Sequence, residues 1–345
     1  MPIVKTLSKA TKLEKEKFTI PKSVQDAIPI QRIWQDGIFQ IGSRFSKTFS
    51  FTDINYSIAG KEDKTAMFLD YSEFLNALDS GASAKITINN RRINKAEFES
   101  SLLLPMKEDG LDHFRKEYNE MLLSKVSGTN NSVVQDRYIT VTVAKRNIDE
   151  ARTYFSRVGT DLITHLSQLS SIGRELDAEA RLQVFRDFFK ADEPAAFPFN
   201  LKEQMKKGHS FKDWLCPDSM EFQKDHFRLN DRWGRVLYLQ GYASYIKDSM
   251  IAELCDMDRS LMLSIDILPV PTDEAVREIQ NKLLGVETNA ANWQRKQNAA
   301  KNFSAVLPYD MEQQRKETTE MLEDLTNRDQ RMMYGLVTLA HLADT

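Results

Sequence analysis

An α+β fold in two related halves is the architecture this 345-residue sequence predicts, on three observations. Strand-like and helix-like stretches follow one another as strand, helix, strand, helix, strand over residues 38–147, and the same order returns over residues 231–345. Between them, residues 191–219 change character, with Pro194, Pro198, Gly208 and Pro217 as punctuation and Phe197, Phe199, Phe211 and Trp214 interspersed. Two ferredoxin-like mixed-sheet units packed with helices, with a long helical hairpin in the C-terminal half, are the simplest packing for such a repeat. Chains of this length usually divide into two domains. The expected organisation is a basic flexible arm over 1–27, a first α+β domain over 28–190, a linker over 191–219 that packs against a surface, and a second α+β domain over 220–345.

In chain order, residues 38–51 read as a strand and the stripe Phe68, Tyr71, Leu75 and Leu78 places a helix over 64–78. Ala84, Ile86 and Ile88 alternate with Lys85, Thr87 and Asn89, which is a strand with one face toward water. Leu111, Phe114, Tyr118 and Met121 form the stripe of a helix over 107–126, a stripe that needs a covering element. Residues 138–144 are β-branched and aromatic, suited to a pleated surface. Ile148, Ala151, Phe155, Val158, Leu162, His165 and Leu169 then share one helical face.

In the second half, residues 235–242 open the repeat, 247–255 are helical, and 261–268 are apolar on both faces, as a strand covered on both sides would be. Pro271, Thr272, Asp273 and Glu274 mark a helix start with Thr272 as cap. The stripe Val276, Ile279, Leu283, Val286, Ala290, Trp293, Gln297 and Ala300 steps by three and four, the spacing of a helix lying along another helix. Pro308 ends that helix, and Met311, Thr318, Leu322 and Leu325 bring a second one back. Gly285 and Gln297 weaken a continuous coiled-coil seam and favour a hairpin packed on its own sheet. Residues 331–340 close the repeat as a strand.

A net charge of −3 with 28% charged and 41% hydrophobic residues gives no global basic excess that would announce nucleic acid. Cys216 and Cys255 have neither zinc nor disulfide-scaffold spacing, which suits a reducing cytoplasmic compartment. No window supplies the ~18 uninterrupted apolar residues of a membrane span, and residues 1–18 lack a signal-peptide core. Six lysines against Glu14 and Glu16 give the first 22 residues a local charge of +4. Such an arm is a solvated terminus first, and could lie on anionic lipid at about 1 kcal/mol per close charge.

Catalytic chemistry finds no foothold. Gly37 and Gly42 have phosphate-loop spacing, but Ser43 and Arg44 follow where a lysine and a hydroxyl are needed. Asp256 and Asp258 lack a third ligand by spacing and read as a solvated turn. His113, His165, His209, His226 and His341 match no metal or triad motif. Arg91, Arg92 and Lys95 cluster without an aromatic platform, so direct nucleic-acid binding is disfavoured. No catalytic, cofactor or metal residue is assigned, and no small-molecule substrate is expected.

The segment Asp231-Arg-Trp-Gly-Arg-Val-Leu-Tyr-Leu-Gln-Gly-Tyr242, the strand 261–270 ending Leu-Pro-Val-Pro, the helix 273–283 and the final strand 332–340 resemble the N-terminal region of the conjugal-transfer ATPases of type IV secretion systems, the CagE/TrbE/VirB family. Residues 28–39 and 45–56 are similar to versions carried by Gram-positive conjugative elements. The resemblance covers the chain from about Ile28 onward. It implies a docking and assembly unit that links a motor to the cytoplasmic face of a transfer channel, peripheral at the membrane, with membrane components of that channel as partners and homo-oligomers of the full-length protein. It also implies ATP and magnesium for a full-length member, whose phosphate loop lies downstream; an adaptor without a motor is the alternative. Contact residues expected on this reading are Trp233, Tyr238 and Tyr242, and Val276, Ile279, Leu283 and Trp293 along the long helix. The 345-residue chain is expected not to hydrolyse ATP above background, and magnesium-dependent turnover that co-elutes with it through size exclusion would contradict this.

Overall fold

A computed structural model describes residues 21–54, 56, 58–92, 103–128, 133–190, 200–242, 249–257, 259–302, 306–328 and 330–343. The arm at 1–20, Lys95 and Asp258 therefore lie outside the described residues. The first half contains α1 (Val24–Ala27), β1 (Arg32–Ile33), β2 (Phe39–Ile41), β3 (Arg44–Phe51), α2 (Lys61–Asn76), β4 (Ala82–Arg92), α3 (Asp112–Gly128) and β5 (Val133–Ala144). After it come α4 (Ile148–Gln168), β6 (Gly173–Glu175), α5 (Ala178–Phe189), α6 (Leu201–Lys206) and α7 (Phe211–Leu215). The second half contains β7 (Met220–Phe222), β8 (Phe227–Leu229), β9 (Arg232–Tyr238), α8 (Ser249–Cys255), β10 (Leu261–Pro269), α9 (Thr272–Ala299), α10 (Tyr309–Asn327) and β11 (Met333–Ala343).

The α+β class is as expected, but the strands form one sheet and not two ferredoxin-like ones. Its order is β1-β2-β3-β5-β4-β10-β11-β9-β8-β7, with β6 added beside β3. Matching β1, β2, β3, β4 and β5 to β7, β8, β9, β10 and β11 makes this order read the same from either end. The join is made by β4 and β10, whose backbone groups would otherwise be unpaired edges, and pairing them merges the halves.

Register confirms the repeat residue by residue. Ile41 opposite Arg44 and Leu229 opposite Arg232 each close a two-residue loop. The first loop residue is left-handed in both, Gly42 at φ 58° and Asn230 at φ 53°, a region that glycine and asparagine tolerate and that suits hairpin turns. Phe45 then faces Val143 as Trp233 faces Ala343, and Phe49 faces Ile139 as Leu237 faces Leu339. The expected strand over 38–51 is thus a hairpin, broken at Gly42.

By internal contacts the chain divides into two compact units. The larger holds the sheet apart from the ends of β4, β10 and β11. In it, Asn147 caps α4 by accepting from the Glu150 amide at 2.9 Å, and α4 lays Ala151, Phe155 and Leu162 on the sheet. Beneath it Phe45, Phe49, Ile139, Val141 and Val143 are buried, each large side chain contributing about 1.5–3 kcal/mol. The described part of segment 191–219 carries α6 and α7, and Leu201, Leu215 and Cys216 join Ile28, Ile30, Phe39 and Leu182 in a second core. A Ser210–Asp213 capping box starts α7.

The smaller unit includes residues 71–83 and 267–335. There α9 and α10 form the expected hairpin around Val270, Ala275, Ile279 and Leu325. Pro271 and Pro308 occupy the cap positions, so the Thr272 cap is not made; Asp273 and Glu274 still complement the helix dipole. Tyr334 donates to Glu278 at 2.6 Å, and burial together with that carboxylate pushes its phenol up. Arg331 donates to the Leu78 carbonyl, and Asn76 donates to Gln330 at 3.1 Å.

Two glycines predict opposite outcomes. A Cβ at Gly37, whose φ is 77°, would stand 2.0 Å from the Leu176 carbonyl oxygen, whereas at Gly285, inside α9, it would meet nothing within 4 Å. Gly37→Ala should lower unfolding free energy by about 2–4 kcal/mol, and Gly285→Ala should raise it by roughly 0.5–1 kcal/mol. Urea denaturation of the two variants checks both signs.

Candidate functional site

The two halves differ most at one place. In the first half, β2 pairs with the opening residues of β3, and β6 takes over farther along, with Phe49 opposite Glu175 and Phe51 opposite Gly173. Lys47 ties the arrangement with an ion pair to Glu175 at 2.5 Å. In the second half, β8 pairs with Arg232, Trp233 and Gly234, and then turns back into β7. Val236, Leu237 and Tyr238 pair with β11 on one side. Among the described residues no strand pairs with them on the other.

The face differs as well as the edge. Phe49, under α4, has no exposed surface, while its counterpart Leu237 is 52% exposed. Phe45 is 3% exposed and its counterpart Trp233 is 43%. Tyr238 and Val236, on the opposite face of β9, are also more than half exposed. An apolar strand with one free edge is a template for strand addition, and soluble proteins normally blunt it with charge or cover it. Here Arg228 and His226 lie against Trp233, and Arg235 reaches Asp225 in the β7–β8 turn, but Leu237 and Tyr238 project past them.

The residues expected to make contacts fall into two groups. Trp233 and Tyr238 are exposed on β9, and Tyr242 beyond its end accepts from the Val337 amide at 3.1 Å. Ile279 is buried in the hairpin core, Val276 packs against it, and Leu283 and Trp293 are half-buried on the same stripe. Val236 and Leu237 do not stand out in the sequence, because two adjacent aliphatics are common in any strand.

A second apolar surface lies on α3. Leu111, Phe114, Tyr118 and Met121, the stripe expected to be covered, are 42–60% exposed. The helix is held from another side: Asn119 is buried and bonds both the amide and the carbonyl of Leu104 at 2.9 Å, and Arg115 clasps Asp109 and Asp112.

The near miss to a phosphate loop is the hairpin at Gly42, with Gly37 in a tight turn before it. No cluster of three metal-binding side chains occurs among the described residues. The histidines sit on separate elements, His226 against Asp225 at 2.8 Å and His341 against the Ser260 carbonyl at 2.8 Å. Burial pushes the Cys216 and Cys255 thiols up, away from thiolate reactivity. Arg91 is engaged by Asp136 at 2.6 Å. No helix among the described residues is long and apolar enough to cross a membrane. Neither a protein-family model nor a curated protein matches this chain.

Proposed function

We propose that this chain is a docking and assembly unit of a conjugal-transfer machine, corresponding to the N-terminal region of a type IV secretion ATPase. On this reading it seats the motor at the cytoplasmic face of the transfer channel by binding a membrane component of that channel. ATP and magnesium belong to the phosphate-loop domain that such an ATPase carries. The observation that supports docking is the bare stretch of β9. Residues 231–242, which carry part of the family resemblance, form this strand and its flanks.

The first half supplies the pattern for what β9 receives. On β3 the corresponding edge takes β6 antiparallel, and the corresponding face takes α4. A partner presenting a short strand could satisfy the open backbone groups of Val236 and Tyr238; those of Leu237 face β11. Apolar side chains from the same partner would cover Leu237 and Trp233, with roughly 25 cal/mol gained per Å² of apolar surface removed from water.

Donor cells carrying Leu237→Lys together with Tyr238→Lys should transfer DNA at least tenfold less often. The variant protein should keep its circular dichroism and, because both positions are exposed, a stability within about 0.5 kcal/mol per substitution. Leu284→Lys, on an exposed position of α9, is the control and should transfer normally. Undiminished transfer by the β9 variant, with the channel's membrane proteins still co-purifying, would overturn the proposal.

A further inference from the structure

A cavity of about 390 Å³ in the larger unit lies between α5, the segment before β1, and strands from both ends of the sheet order. Its inner wall is buried: Ile28, Ile30, Phe39 and Leu229 are each at most 5% exposed. Its rim is open and apolar, with Ile41, Phe222 and Val236 between 43% and 67% exposed. That volume falls within the ~300–1,000 Å³ typical of small-molecule sites, at the end that suits a single acyl chain.

One cation lines this apolar space. Arg181 of α5 is 4% exposed, and no carboxylate of the described residues pairs with it. Its Nη1 donates to the Gly37 carbonyl at 2.9 Å and the Ser46 carbonyl at 2.6 Å, and its Nη2 donates to Ser46 Oγ at 2.8 Å. The Phe39 ring lies 4.0 Å from the guanidinium carbon. Nε has no hydrogen-bond partner, and Nη2 has a second hydrogen to give. Burial pulls the group down to about 9, the mark of a charge without a counter-charge. Neutral acceptors and a ring offset part of the cost of burying a cation, but an anion offsets far more.

We infer that this cavity binds a free fatty-acid carboxylate, its head at Arg181 and its acyl chain running along the phenylalanines toward the Val236 rim. Nε and the second hydrogen of Nη2 are the donors Arg181 has left for a carboxylate. The buried position of Arg181 requires a terminal anion, which a fatty acid has. A phosphodiester, with glycerol on one side and a further group on the other, does not end in its charge. The cavity uses the side chain of Val236, and neither Leu237 nor Tyr238, the positions that test docking, lines it.

Calorimetric titration of the full chain with dodecanoate and with dodecanol, both below their aggregation limits, tests this. Dodecanoate should bind one per chain, at least tenfold tighter than the alcohol, and Arg181→Met should remove that difference. Because Arg181 also braces the Gly37 turn, Val236→Trp serves as a second variant: it fills the cavity from the exposed rim and should lower dodecanoate affinity at least tenfold with the fold intact. Equal affinity for acid and alcohol, no binding of either, or unchanged dodecanoate binding to Val236→Trp would overturn the inference. So would binding to vesicles of anionic phospholipid in place of the free acid. None of these results bears on DNA transfer by the Leu237 and Tyr238 variant.

Discussion

Satisfaction of strand edges governs this fold. A β-strand must find partners for its amides and carbonyls on both sides or leave them to water. Each half of the chain builds a short antiparallel meander, β1-β2-β3 or β7-β8-β9, and then slots its third long strand beside the last member of it. That leaves the second long strand, β4 or β10, with an open side, and the two open sides pair with each other. The same requirement is met along β3 by β6, at the cost of recruiting α4 and a turn to bring β6 there. Along β9 it is met only as far as Gly234. Among the described residues nothing stands beside β9 beyond Gly234 as β6 stands beside β3, and that stretch is the candidate docking surface.

Much of this was legible in the sequence because period carries it. The alternating Ala84, Ile86 and Ile88, the doubly apolar run over 261–268, and the three-and-four stripes of α4 and α9 each reflect burial on a defined face. Duplicated element order was visible for the same reason. What escaped was short or compensated. β1, β2, β6, β7 and β8 have two or three residues each, too few to show a period. The break at Gly42 sits inside a run whose composition is strand-like on both sides. On α3 the apolar stripe points outward because Asn119, a polar residue between its members, makes two backbone bonds to Leu104 that fix the other side inward. The segment 191–219 reads from its prolines as a linker that packs against a surface, and its described part contributes Leu201 and Leu215 to a core.

The site was half legible. Large aromatics in an opening strand drew attention to Trp233 and Tyr238, and both are exposed. The stripe on α9 is instead seen to begin in the hairpin core, with Ile279 buried against Leu322 and Leu325. Arg181 breaks the apolar pattern: it lies three residues after Ala178 and beside Leu182 and Phe185, on the apolar face of α5, where a charged residue is out of place unless something answers it.

The period of a strand also explains how two sites can share β9 without sharing side chains. Successive side chains leave a strand on opposite faces, so Val236 looks into the cavity and Leu237 onto the bare surface. Val236 nevertheless turns its amide and carbonyl to the open edge, while those of Leu237 face β11. Among the described residues β11 alone holds this segment laterally, so the cavity takes the side chain of Val236 and the open edge its backbone.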